Sequence, residues 1–174
     1  MKSNKVRMFW VLFFAVVMVS CTHSDLIRPS HKIGPMWVNR YGHTNADWIG
    51  NYCDMSITET PGVQTVECTV TKVDELFIGP GICGVDEEQR DAIWQARTWE
   101  MYIDGYGVDL PAFNIADGPS DDLYCRNWRF RLREIPEGEH TIRYVMHVNE
   151  EVEGEPDPDP LGTYELIINF TQEK

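Results

Sequence analysis

Apolar and polar residues alternate in three stretches near the C-terminus. Trp128, Phe130 and Leu132 interleave with Arg129, Arg131 and Arg133. Ile142, Tyr144, Met146 and Val148 interleave with Thr141, Arg143 and His147, and Tyr164, Leu166, Ile168 and Phe170 with Glu165 and Asn169. A period of two sends successive side chains to opposite faces, so each stretch predicts a half-buried strand. Together they predict an antiparallel sheet with one dry and one wet face. Ile135-Pro136-Glu137-Gly138 supplies a turn between the first two, and an acidic, Pro-rich loop from Glu150 to Pro160 separates the last two.

The same period recurs upstream. Val66, Cys68 and Val70 alternate with Glu67, Thr69 and Thr71. Trp99, Met101 and Ile103 alternate with Thr98, Glu100 and Tyr102, ending at the tight-turn pair Asp104-Gly105. Val108 to Phe113 reads as a short returning strand ended by Pro111. Leu76 to Gly84 is apolar but broken by Gly79, Pro80 and Gly81, as in a loop or a bulged edge. Asp86 to Ala96 is the one helix candidate. The pattern predicts a mainly β, antiparallel sandwich over residues 36–174, with one short helix at most.

The first twenty residues follow another rule. Lys2, Lys5 and Arg7 precede a twelve-residue apolar run from Met8 to Val19. A spanning helix needs about 20 apolar residues, so the run has the length and flanks of a secretory signal. Met18-Val19-Ser20-Cys21 resembles the lipobox of bacterial lipoproteins. The resemblance implies cleavage after Ser20, acylation of Cys21, and a membrane partnership through that lipid anchor. Thr22, in place of Asp, implies the outer membrane where a cell has two. A plain secretory signal followed by a coincidental Cys is the alternative. Residues 21–35, polar and with two Pro, read as the lipidated Cys and a tether.

Composition narrows the function. Removing the signal takes three of the 15 basic residues and none of the 28 acids, leaving a formal charge of −16. So negative a chain is a poor nucleic-acid binder, because phosphates are met with clustered Lys and Arg. Beyond Cys21, Cys53, Cys68, Cys83 and Cys125 make an even set, which in an exported chain reads as two disulfides. Three pairings are open. A hairpin at Thr60-Pro61-Gly62 would bring Cys53 to Cys68, leaving Cys83 for Cys125. No Cys-x-x-Cys or nearby Cys–His spacing supports zinc, and no cofactor motif is present.

Leu132-Arg-Glu-Ile-Pro-Glu-Gly-Glu-His-Thr-Ile-Arg-Tyr144, the acidic loop, and Gly162-Thr-Tyr-Glu-Leu-Ile-Ile-Asn-Phe170 resemble the last three strands of bacterial immunoglobulin-like domains. There a Pro-x-Gly corner leads into the penultimate strand. His140 takes the place where many relatives carry the corner aromatic. The resemblance covers residues 97–171 and brings no catalytic residues with it.

Candidate chemistry is confined to surfaces. Arg129, Arg131 and Arg133 form a row on one outer face, able to seat a sugar acid or a phosphate group or simply to be neutralised by nearby acids. On the other sheet Tyr102, Arg143 and His147, with Glu100 and Glu165, share a face with Val145 and Ile167, a mixture that interfaces favour. Trp37, Trp48 and Tyr106 are candidate stacking platforms, and His43 near Asp47 a candidate anchor. The carboxylates of Glu150–Pro160 and of Asp117–Asp122 read as solvated loops. No nucleophile, metalloprotease or phosphate-loop motif appears. The expectation is a lipid-anchored, non-enzymatic cell-envelope module for a protein or glycan partner. A carbohydrate- or small-anion-binding module is the alternative, and a small extracytoplasmic hydrolase stands third.

Overall fold

A computed structural model describes residues 26–42, 46–55, 60–71, 73–155 and 158–173. The signal, Cys21, the first part of the tether and His43 lie outside the described residues. Twelve strands form two sheets: β1 (His31–Ile33), β2 (Met36–Arg40), β3 (Asp47–Trp48), β4 (Gly62–Thr71), β5 (Glu75–Ile78), β6 (Gly81–Gly84), β7 (Arg97–Ile103), β8 (Tyr106–Gly107), β9 (Asn114–Ser120), β10 (Leu123–Arg133), β11 (Gly138–Val148) and β12 (Gly162–Glu173). The first sheet runs β1-β2-β10-β5-β3, with β6 and β9 also paired to β10; the second runs β4-β12-β11-β7-β8. This is the mainly β, two-sheet sandwich that the alternation predicts.

The core lies between the layers. Phe130 and Leu132 from the first sheet meet Ile142, Tyr144, Leu166, Ile168 and Phe170 from the second, all buried. The strand phase read from sequence is therefore the observed one. The helix is there too: α1 (Glu87–Gln95) starts at Asp86, whose side chain accepts from Gln89 N–H, while the Gln89 side chain accepts from Val85 N–H. Such reciprocal caps satisfy donors that a helix start leaves open. Asp104 and Gly105 both take positive φ in the β7–β8 turn, as a two-residue hairpin demands.

Four expectations need correction. Residues 26–35 are not tether: Ile27 is fully buried and bridges Val108, and β1 pairs with β2. An apolar residue that fills a gap at the sheet edge is captured despite polar neighbours. The sheets are not wholly antiparallel, because β4 runs parallel to β12 over ten residues and β3 parallel to β5. Of the two readings of Leu76–Gly84, the loop is wrong and the interrupted strand is nearer: it forms two strands, both paired to β10. Gly79 divides them at φ 156°, where an added Cβ would sit 1.9 Å from the Trp128 carbonyl oxygen. Finally, Val108–Phe113 forms no returning strand; Leu110–Ala112 is a 3-10 turn.

Disulfides join Cys53 to Cys68 and Cys83 to Cys125. The first does not staple a hairpin. Cys53 follows the 3-10 turn after β3 of the first sheet, and Cys68 sits on β4 of the second, so the bridge ties the layers together. The second joins directly opposed residues of β6 and β10. Two such bridges indicate an extracytoplasmic location. No described helix is long and apolar enough to cross a membrane.

Candidate functional site: the two outer sheet faces

Strand register builds the outer face of the first sheet in rows. One row runs Trp48, Phe77, Arg131, Asn39 across β3, β5, β10 and β2. The next runs Glu75, Arg133, Trp37, Lys32 across β5, β10, β2 and β1. Tyr41, just beyond β2, donates its backbone N–H to the Arg129 carbonyl. Each row holds an aromatic ring and a cation. The Arg129 guanidinium lies 5.7 Å from the ring centres of both Tyr41 and Phe77, which are 4.7 Å apart, and Lys32 lies 4.9 Å from Trp37.

Glu75 is the acid within these two rows. It accepts a hydrogen bond from Arg131 at 3.4 Å and forms an ion pair with Arg133 at 2.9 Å. Arg129 instead donates to the Asn127 amide oxygen and has no carboxylate partner among the described residues. Across the two rows and Arg129 stand four cations against Glu75, a positive strip on a chain of formal charge −13. Trp48 is 46% exposed, and its six-membered ring rests against the Gly50 backbone, where a Cβ would come within 2.6 Å. One ring face is covered and the other is open.

The outer face of the second sheet is closed on itself. Arg143 makes a bidentate pair with Glu165 at 2.7 and 2.9 Å and lies over the Tyr102 ring at 4.8 Å. Tyr102 donates its hydroxyl to Glu100 at 2.6 Å. Glu100 is 3.5 Å from His147 Nε2, whose Nδ1 contacts the Thr163 hydroxyl at 2.9 Å. The Tyr102 hydrogen bond holds the Glu100 carboxyl below its usual range, and the Arg143 pair does the same for Glu165. Thr163, His147 and Glu100 have the order of a hydroxyl, a base and an acid. They lie on an open sheet surface, where water reaches each. Val145, expected to share this outer face, is buried.

The stacking candidates divide between the layers. Trp37 and Trp48 share the first face, whereas Tyr106 stands at the end of the second sheet. The acidic stretches are partly engaged. Arg97, buried, pairs with Glu155 and Asp159 and donates to the Ile93 carbonyl, and Gln89 donates to the Gly154 carbonyl. Asp117, expected in a solvated loop, lies on β9 and makes a bidentate pair with Arg126. Sequence reading missed the Arg97 clamp. Its only signal was an Arg where the inward phase of β7 calls for an apolar residue. His140 fills the corner position by another chemistry. Nε2 donates to the Pro136 carbonyl and Nδ1 to Asp104, and the Asp104 hydrogen bond raises the imidazole pKa.

No protein-family model and no curated protein matches the chain. Among solved structures, one described as PbICP-C in complex with falcipain-2 is similar over 68% of this chain and 95% of that one, at 13% identity and a TM-score of 0.36.

Proposed function

We propose that this chain is a non-enzymatic binding module of the cell envelope, held to a membrane through acylated Cys21, and that it meets its partner with the outer face of the first sheet. The observation that carries the reading is Arg129. It stands between Tyr41 and Phe77 with no carboxylate partner among the described residues, beside Arg131 and Arg133, which share Glu75. Arg and aromatic side chains are the groups that dominate binding energy at interfaces. The second face, by contrast, has spent its charges on itself. The lipobox-like Ser20-Cys21 supports the anchor, and the tether it implies ends by Leu26, where the described fold begins.

The test is site-directed photocrosslinking in intact envelopes, with the reactive group at Phe77 on one face and at Ile167 on the other. Adducts from position 77 and none from 167 are expected. Adducts from 167 alone would sink the assignment of the face. Anchoring is checked separately: Cys21→Ser should move the protein out of the membrane fraction, and an unchanged distribution would refute the lipid anchor.

A further inference from the structure

Resting on the face just assigned, we infer that its ligand is an extended, carboxylate-bearing glycan lying across the strands along the row Trp48, Phe77, Arg131, Asn39. Spacing decides the class. Strands lie about 4.8 Å apart, so each step along the row is close to the length of one pyranose residue in an extended polysaccharide. Four successive strands then present an indole, a phenyl ring, a guanidinium and an amide, one per sugar. An extended peptide rises by about 3.3 Å per residue and repeats its same-side groups at twice that, so it drifts out of step with the row.

Chemistry agrees with the spacing. Trp48 offers one open ring face, held flat by the Gly50 backbone, which suits the C–H face of a sugar. Arg129, one residue pair along β10 from Arg131, is a cation free of carboxylate among the described residues, and a guanidinium fork matches a carboxylate. Asn39 supplies an amide for hydroxyls at the far end. The strip is positive where the chain as a whole is strongly negative, so an anionic polymer is attracted to this face and repelled elsewhere.

The full chain in detergent is titrated by calorimetry with oligogalacturonate, a neutral cello-oligosaccharide and polyglutamate. Salt-sensitive binding of oligogalacturonate alone is expected. Trp48→Ala and Arg129→Ala should each weaken it about tenfold or more, the loss of one anchoring contact. Glu75→Gln should tighten it by freeing two arginines, and His147→Ala, on the other face, should leave it unchanged. Gly50→Ala tests the platform without deleting it, since the new methyl displaces the ring and weakens binding. Equal affinity for polyglutamate, or indifference to Trp48→Ala in a folded variant, would overturn the glycan and leave a charge-driven protein partner. Equal affinity for the neutral sugar would overturn the role of the carboxylate. Absence of oligogalacturonate binding would overturn the inference, while adducts at position 77 would still uphold the face; adducts at 167 alone would remove both.

Discussion

The two outer faces of the sandwich are made of the same residue types and behave differently. Each has arginines, aromatics and acids at alternating positions of long strands. On the second sheet the polar groups named above find partners on the same face: Arg143 with Glu165 and His147 with Thr163 on adjacent strands, and Tyr102 with Glu100 along β7. On the first sheet Arg131 and Arg133 share Glu75, while Arg129 and Lys32 lie over aromatic rings with no carboxylate partner among the described residues. Cross-strand partners supply the difference, because composition within each strand is similar. A face whose polar groups are satisfied internally gains rigidity and loses little to solvent. One whose cations are stacked but unpaired keeps charge available for a ligand.

The contrast holds only if both faces are backed by one shared core, and the largest expected effect tests that. Phe130→Ala should cost about 3–5 kcal/mol by denaturant unfolding, since the lost transfer energy adds to a cavity under the first face. A cost near 1 kcal/mol would mean that the layers do not pack as one. Next comes the tie between the layers: replacing Cys53 and Cys68 by Ser should cost about 2–4 kcal/mol, measured in the same way.

The faces themselves are compared by double-mutant cycles. The Arg143–Glu165 pair, bidentate and backed by Tyr102, should show coupling of about 0.5–1 kcal/mol, whereas Arg133–Glu75 should fall near about 0.2–0.5 kcal/mol. Equal coupling would erase the distinction between a closed and an open face. Arg129→Ala should change stability by less than about 0.5 kcal/mol while acting on binding. Arg131→Ala, half-buried beside Glu75, should lie slightly above it.

The smallest effects are pH trends. Both His140 nitrogens face acceptors, so the protonated ring is the form the fold holds, and its pKa is raised. That contribution is fully present below the unfolded value of 6.5 and is lost as pH rises through the folded value. Stability should therefore decline above neutral pH, and His140→Gln should flatten that limb. Glu100 and Glu165 have lowered pKa values, so the closed face contributes above the unfolded value of 4.5 and loses its contribution as pH falls through the folded ones. Unfolding midpoints between pH 3 and 9 check both limbs.

How much of this was legible beforehand divides along a physical line. Local pattern alone determined the strands around 66–71, 98–103, 128–133, 141–148 and 164–170, which of Trp128 to Arg133 point inward, the helix after Asp86 and the Asp104-Gly105 turn, because each depends on residues within a few positions of one another. The even cysteine count determined that two bridges would form. Tertiary structure decided who stands beside whom. Arg131 and Arg133 meet Glu75 from more than fifty residues away; Arg97 clamps an acidic loop equally distant; Ile27 fills an edge beside Val108; and β4 pairs in parallel with the last strand, making the Cys53–Cys68 bridge a tie between layers. Closing a longer loop costs only slightly more than closing a shorter one, so separation along the chain says little about neighbours. Which strands adjoin is settled by the surface they bury together, and only that choice left Arg129 between two rings and without an acid partner among the described residues.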